Sequence, residues 1–101
     1  MAKLLDESNR PVGTIDDDGI VRNNTNTQWG RVDLYYRSVH DKANAKVGYY
    51  DVNGHIFDEN GSPKGSVDNN GIVKDYNTTI IGKVEGGHID SGGAALLLLF
   101  N

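Results

Sequence analysis

Three acid-rich segments of the chain carry the residue types of a calcium-binding loop: Asp16–Gly19, Asp51–Gly54 and Asp68–Gly71. Side-chain oxygens that alternate before an obligatory glycine are typical of the front of such a loop. The loop also needs a bidentate Glu about six residues after the glycine. After the second segment, Asp58 and Glu59 come too early for that role. The segments are therefore predicted to be hairpin turns, in which Asp caps the turn and Gly takes a positive φ, and no metal is expected.

The histidines are the next residues that could do chemistry: His40, His55 and His88. The last two take equivalent places in an internal repeat, so a closed ring could bring two imidazoles to one rim for metal binding or proton transfer. Ile20 and Ile72 fill the same place in two other repeats, so such a ring of ligands would be incomplete. We favour half-exposed strand positions for these histidines, and we expect no catalytic residue, no cofactor and no enzyme activity.

Aromatic residues are the best candidates for a surface that binds a ligand or a partner, because exposed rings supply area for stacking and anchoring. The segment Asp33–Arg37 replaces the usual acid-x-x-Gly turn, and a departure from a repeat's own rule often marks function. The alternative is that the rings pack over neighbouring turns and supplement a small core. The candidate residues are Trp29, Tyr35, Tyr36, Tyr49 and Tyr50.

These side chains must be positioned by a repeat that runs through the whole chain. Five glycines each open a short strand-like stretch that ends in an acid and a turn, with spacings of 17, 18, 17 and 17 residues. A unit of that length is too short for a strand plus a helix, so each unit is predicted to be one β-hairpin. The glycines are Gly13, Gly30, Gly48, Gly65 and Gly82.

Two apolar columns supply the predicted core when the units are lined up on their glycines. The outgoing strands contribute Ile15, Val32, Tyr50, Val67 and Val84. The returning strands contribute Val21, Val39, Ile56, Val73 and Ile89.

The chain ends suggest how the hairpins close. Leu4–Pro11 has the same order of residue types as Ile56–Pro63, which is the second half of a unit, so the N-terminus is predicted to begin within a hairpin. A sixth unit split between the termini would close a ring of 12 strands and remove both exposed edges. The apolar run Ala94–Phe100 is then either the closing strand, which we prefer, or a short helix that plugs the centre, as its helix-forming composition suggests.

Composition predicts one domain over residues 1–101 and argues against some classes of binding partner. A net charge of −4 without a run of basic residues argues against nucleic acid. The apolar run is far shorter than the roughly 20 residues of a membrane span. The chain has no cysteine and Met1–Lys3 leads directly into repeat-like sequence, so a cytoplasmic location is expected.

The pattern Val-Gly-x-(aromatic or aliphatic)-Asp, followed by Asn-Gly and Ile-Phe-Asp-Glu-Asn-Gly, resembles the small bacterial β-flower proteins, in which hairpin petals surround a shallow barrel. The resemblance is strongest over Val47–Gly65 and covers nearly the whole chain. It implies an all-β ring of antiparallel hairpins with a non-enzymatic interaction role. A distant likeness to tubby-type barrels, which have a central apolar helix, supports the plug interpretation of Ala94–Phe100.

Two classes of function follow. The first is an interaction or structural module that uses one face of the ring to bind an unknown protein, a small ligand or a second copy of itself. The second is a carbohydrate or cell-wall binding module, because Gly48–Gly54 resembles the aromatic hairpin repeats of choline- and glucan-binding proteins. Those repeats carry Trp and Tyr in nearly every unit, whereas three of the five units here lack an aromatic residue in the first strand, so the second class ranks lower.

Overall fold

The computed structural model describes residues 1–100, which form ten β-strands and one C-terminal α-helix. The first five strands are β1 Ala2–Asp6, β2 Pro11–Ile15, β3 Ile20–Asn23, β4 Gln28–Asp33 and β5 Ser38–Asp41. The next five are β6 Lys46–Tyr50, β7 His55–Asp58, β8 Pro63–Val67, β9 Ile72–Asp75 and β10 Ile80–Glu85. The helix α1 is Ile89–Leu99.

The strands form one closed antiparallel barrel, which confirms the predicted fold class. Four hairpins are continuous in sequence, and we number them 1 to 4: β2–β3, β4–β5, β6–β7 and β8–β9. Hairpin 5 joins the two ends of the chain, because β10 pairs with β1. In it Leu4 lies opposite Val84, just as Val21 lies opposite Ile15 in hairpin 1.

Closure by β1 corrects the predicted number of strands. The N-terminus does supply the second half of a hairpin, but that hairpin is the fifth, so the barrel has ten strands and the expected sixth unit and 12 strands are wrong. Leu4 takes the place in the second core column that we had assigned to Ile89. Apart from Ile89, the residues of both predicted columns are buried.

The C-terminal segment is a helix inside the barrel, so the preferred interpretation as a closing strand is wrong and the central-helix alternative is confirmed. β1 already occupies the edge that a closing strand would need. Gly86 and Gly87, with φ of 81° and 56°, turn the chain away from β10. The residues that follow lack β-branched side chains after Ile89 and are mostly good helix formers.

Small residues let the first half of α1 pack closely against the core of the barrel. Ser91 to Ala95 are all buried. A Cβ on Gly92 would come within 2.7 Å of Val84, and a Cβ on Gly93 within 2.5 Å of Val67. These glycines therefore permit contact between the helix backbone and core valines, which larger side chains would prevent.

The second half of α1 packs against the repeat glycines, where carbonyl oxygens of the neighbouring strands already lie within 2.0–2.4 Å of the place of a Cβ. Each of five consecutive apolar side chains at the helix end lies against the glycine of a different hairpin, where a Cβ would come within 2.7–2.8 Å of it. A residue with a side chain at these positions would occupy the space of the helix. The contacts are Leu96 with Gly82, Leu97 with Gly65, Leu98 with Gly48, Leu99 with Gly30 and Phe100 with Gly13.

The barrel thus has two unlike ends. We call the end that carries the hairpin tips the tip face; α1 begins there. The other end, which we call the mouth face, carries the five turns between hairpins, and α1 ends there. In each of these turns the first residue, Asp or Asn, accepts two backbone N–H bonds through its side chain, and the fourth residue has a positive φ. The first residues are Asp6, Asn23, Asp41, Asp58 and Asp75.

One extra residue forms a β-bulge before each repeat glycine. Val21 pairs with Gly30, for example, whereas the next residue, Arg22, pairs with Gln28, so Trp29 has no partner opposite it. A bulge adds local twist and re-aims the side chain. The bulge residues are Val12, Trp29, Val47, Lys64 and Ile81, and all but Lys64 pack against the core.

Candidate functional site

The tip of hairpin 2 departs from the other hairpins. Four residues separate Asp33 from Ser38, whereas three separate the equivalent residues Asp68 and Ile72 in hairpin 4. The extra residue accounts for the single spacing of 18 in the repeat. Arg37 closes this tip with a φ of 58°, in the conformation that glycine takes at the tips of hairpins 1, 3 and 4.

Tyr35 and Tyr36 occupy this enlarged tip. Their backbone N–H groups both donate to Oδ1 of Asp33 at 3.0 Å, which fixes the turn. The residues are 82% and 74% exposed, and their rings meet edge to face with centroids 4.8 Å apart. The tip therefore presents an ordered aromatic pair to solvent.

Trp29 lies on the opposite end of the barrel and is held by the end of α1. Its indole Nε1–H donates to the carbonyl oxygen of Leu99 at 2.9 Å, and its ring stacks on Phe100 with centroids 6.3 Å apart. Lys42 covers the other side, with Nζ 4.6 Å from the ring centroid. Trp29 thus caps a helix carbonyl and closes the mouth of the barrel.

The remaining two aromatic residues of the predicted surface, Tyr49 and Tyr50, lie neither with the Tyr35–Tyr36 pair nor with Trp29. Tyr49 stacks on Phe57 on the barrel wall, with centroids 5.1 Å apart, and Nζ of Lys46 lies 5.2 Å from its ring. Tyr50 is 7% exposed and belongs to the core. The structure therefore brings Tyr35 and Tyr36 together but does not gather the five aromatics into one site.

The phenol of Tyr50 nevertheless connects the core to the tip of hairpin 2. Burial raises the pKa of Tyr50, and the positive charge of Arg37 lowers it. Asp90 and Asp33 raise the pKa again, so the net shift is upward.

The histidines do not form a ring of metal ligands. Such a ring depended on His55 and His88 occupying equivalent places in the repeat. His55 opens β7, whereas His88 is the N-cap residue of α1, so that equivalence is wrong. Within residues 1–100 there is no group of three or more His, Asp or Glu side chains that could hold a metal. His55 Nδ1 lies 3.3 Å from Asp51. Burial raises the pKa of Asp51, but hydrogen bonds from the His55 and Asn53 backbone and from the His55 ring outweigh it, so the net pKa is lowered.

Among residues 1–100, Ser38 and His40 make the one contact between side chains that has the residue types of a nucleophile and its base. Ser38 Oγ and His40 Nε2 are 3.0 Å apart, and Ser38 is 8% exposed. Activation of a serine also needs a group that orients the histidine. Nδ1 of His40 is buried without a hydrogen-bond partner among residues 1–100, so no such group is present in that part of the chain.

A second set of features lies on the mouth face, where hairpins 1, 2 and 4 each carry a shallow cleft. The cleft of hairpin 4 is lined by Pro63, Lys64, Asp75, Tyr76, Asn77 and Leu97. Tyr76 is 70% exposed. Sequence analysis missed this cleft, although Tyr76 was detectable as the only aromatic residue in the second position of a turn between hairpins.

Comparison with protein-family models, with curated proteins and with solved structures gave no match. Among residues 1–100 no helix is long and apolar enough to cross a membrane.

Proposed function

We propose that this chain is a non-enzymatic interaction module and that the tip of hairpin 2 contacts a partner protein. The observation that carries the proposal is the exposed, ordered pair Tyr35 and Tyr36 in the one tip that departs from the repeat. Water-exposed rings at a fixed site add nothing to the barrel core. Their burial by a partner would release that apolar surface from water.

The chemistry of the tip suits protein recognition. Tyr and Arg are enriched among the residues that dominate interface energies, and Arg37 lies next to the tyrosine pair. The bonds to Asp33 hold the turn before binding, so less conformational entropy is lost when a partner binds. The likeness to β-flower proteins also supports a non-enzymatic role, and the cytoplasmic location stays a prediction.

Photo-crosslinking tests this proposal with a matched control. A benzoylphenylalanine would replace Tyr36 in one variant and Val52 in another; Val52 is 66% exposed at the equivalent tip of hairpin 3. We expect a discrete protein adduct in the producing cells from position 36 and none from position 52. Irradiation of the purified variant alone shows whether the partner is a second copy of the chain.

Two results would overturn the proposal. One is the same set of adducts from both positions, which would mean that any exposed tip is labelled. The other is the absence of an adduct from position 36. A variant with Tyr35→Ser and Tyr36→Asn should unfold at the same temperature as the parent, because neither ring packs in the core, and it should compete poorly for the partner.

A second candidate function is saccharide binding. The specific observation in its favour is Tyr76, an exposed aromatic side chain that lines a cleft together with polar side chains. This site differs from the aromatics proposed from the sequence, of which Tyr50 is buried and Trp29 is covered by Lys42.

A further inference from the structure

Hairpins 2 and 4 exchange an aromatic residue and a lysine between two equivalent positions. At the bulge, hairpin 2 has Trp29 and hairpin 4 has Lys64. At the second position of the following turn, hairpin 2 has Lys42 and hairpin 4 has Tyr76. The exchange leaves the aromatic ring covered by a lysine at the cleft of hairpin 2 and free of lysine at the cleft of hairpin 4, within residues 1–100.

In hairpin 2 the two side chains contact each other. The ring of Trp29 packs on Phe100, and the ammonium of Lys42 covers its outer side at 4.6 Å. The cation therefore already occupies the aromatic surface that a ligand would use.

In hairpin 4 the same positions leave a gap. Lys64 is the only bulge residue that does not pack against the core, it is exposed, and it makes no ion pair within residues 1–100. No contact between its ammonium and the Tyr76 ring is present in that part of the chain. The cleft between them has a volume of about 270 Å³. This is near the lower limit of about 300 Å³ for small-molecule sites, so it suits one ring of a ligand.

Polar groups surround this gap on one side. Asp75 Oδ1 accepts the backbone N–H groups of Asn77 and Thr79 at 2.9 and 3.0 Å, which fixes the carboxylate. Its Oδ2 and the side-chain amide of Asn77 make no hydrogen bond within residues 1–100. They and the Lys64 ammonium offer both acceptors and donors to a ligand, while Leu97 and Pro63 supply an apolar wall.

We propose that this cleft, between Lys64 and Tyr76, binds a neutral pyranose ring of an oligosaccharide. The C–H face of a pyranose would stack on Tyr76, because the negative face of an aromatic ring attracts weakly positive hydrogens. The hydroxyls would bond to Asp75, Asn77 and Lys64. A neutral ligand fits better than an anion, since the Asp75 carboxylate offsets the charge of Lys64 in the same cleft. This inference rests on the second candidate function and is independent of the tip of hairpin 2.

The experiment is an NMR titration of the ¹⁵N-labelled full chain with cellopentaose, maltopentaose, mannopentaose and N-acetylchitopentaose at millimolar concentration. We expect at least one of these to shift the amide signals of residues 64 and 75–77. Tyr76→Asn places in hairpin 4 the residue type of Asn24 in hairpin 1, and Lys64→Val restores the residue type of Val12 and Val47. Each should weaken binding by about fivefold to tenfold.

Two controls make the result specific. Tyr76→Phe keeps the ring and should keep most of the affinity, and Asn24→Ala changes the matching turn of hairpin 1 and should leave binding unchanged. Thermal unfolding of every variant would show that the barrel is intact. Since Tyr76 is exposed and its equivalents differ among the five turns, we expect no variant to fail for lack of folding.

The outcomes separate the site from the function. Binding that survives both Tyr76→Asn and Lys64→Val would overturn the site and leave saccharide binding in place. No shift with any of the four oligosaccharides, or with pentagalacturonate as the charged comparison, would overturn both. Binding of pentagalacturonate alone would overturn the neutral class of ligand. None of these results bears on the crosslinking of the tip of hairpin 2.

Discussion

Hairpin 2 (Gln28–Asp41) and hairpin 4 (Pro63–Asp75) share a backbone and differ on their surfaces. Each places a repeat glycine against a leucine of α1, and each pairs two buried valines across its strands. At the tip, the bulge and the following turn they carry different residues: Tyr35 and Tyr36 have Asn69 and Asn70 as their counterparts, and the lysine and aromatic positions are exchanged.

The difference shows where this repeat is constrained. The repeat glycines are the same in all five hairpins, because a single added Cβ would overlap a carbonyl oxygen of the neighbouring strand and also meet a side chain at the end of α1. Exposed positions at the two rims, such as those of Tyr35, Tyr36 and Tyr76, differ from hairpin to hairpin, since their side chains meet solvent. Both candidate binding surfaces lie at these rims.

The shared glycines give the largest expected effect. Gly30→Ala and Gly65→Ala should each lower the free energy of unfolding by about 2–3 kcal/mol, because the new Cβ meets a carbonyl oxygen of the neighbouring strand and a leucine of α1. Urea unfolding followed by circular dichroism measures the change. Gly61→Ala is the control: the nearest heavy atom would be 3.3 Å away, so only the strain of its φ of 86° is expected. Equal losses at all three sites would contradict the close contacts assigned to Gly30 and Gly65.

Substitutions at the bulge position are expected to have the next largest effect on stability, and that effect should differ between hairpins 2 and 4. Trp29→Val should cost about 2 kcal/mol, since it removes the stacking on Phe100 and the bond to Leu99. Lys64→Val should stay within about 0.5 kcal/mol of the parent, because Lys64 is exposed. The same urea measurement applies. If both substitutions changed stability equally, the bulge residue of hairpin 2 would not differ from that of hairpin 4 in how tightly it is held.

The turns after the two hairpins offer a reciprocal test. Thr78 has a φ of 65° and Asn44 a φ of 67°, and a β-branched residue tolerates this region far less well than asparagine. Thr78→Asn should therefore stabilise the chain by about 1 kcal/mol and Asn44→Thr should destabilise it by at least about 1 kcal/mol. Thr79→Asn, one residue beyond, is the control because its φ is not positive. A gain from Thr79→Asn equal to that from Thr78→Asn would refute the backbone explanation.

The smallest expected effect concerns the tip cation of hairpin 2, where hairpin 4 has Gly71. Arg37 lowers the pKa of Tyr50 against the dominant effect of burial, so Arg37→Gly should raise that pKa further, whereas Arg37→Lys should leave it nearly unchanged. NMR of the chain with ¹³C-labelled tyrosine rings, with the Tyr50 signal assigned from the Tyr50→Phe variant, would follow this phenol apart from the other four. A pKa unaffected by Arg37→Gly would mean that the Arg37 charge does not act on Tyr50.

The direction of the pH dependence follows from the raised pKa. Because the folded chain holds the Tyr50 proton more tightly than the unfolded chain, the contribution of Tyr50 to stability is complete below the unfolded tyrosine pKa of about 10. It is lost as the pH rises through the folded pKa. Tyr50→Phe should therefore reduce the loss of stability in alkaline solution.

Much of the fold could be predicted from the sequence because each repeat forms its turn and its strand pair from residues that are close together in the chain. An Asp followed three residues later by Gly, as in Asp51 and Gly54, favours a tight turn. The alternation of apolar and polar residues along the strands predicts that Val67 and Val73 face the core. The candidate sites were predicted only in part. Tyr35 and Tyr36 were found because they break the repeat, whereas Tyr76 sits in a regular turn and becomes a candidate only when the cleft beside Leu97 is known.

The sequence by itself determined the four hairpins that are continuous in the chain, their turns, the two core columns except for one member, and the closed all-β architecture. These depend on residues near one another in the chain, or on a pattern that repeats every unit. The tertiary structure decided that Leu4 takes the place of Ile89 in the second core column, and that the C-terminal apolar segment is a helix that ends at Leu99. It also decided that each repeat glycine contacts one apolar side chain at the end of that helix. The physical reason is competition for space: β1 and the C-terminal segment could both serve as the last strand, but only one fits the open edge of the sheet. Because β1 takes that edge, the apolar C-terminal segment is buried inside the barrel instead.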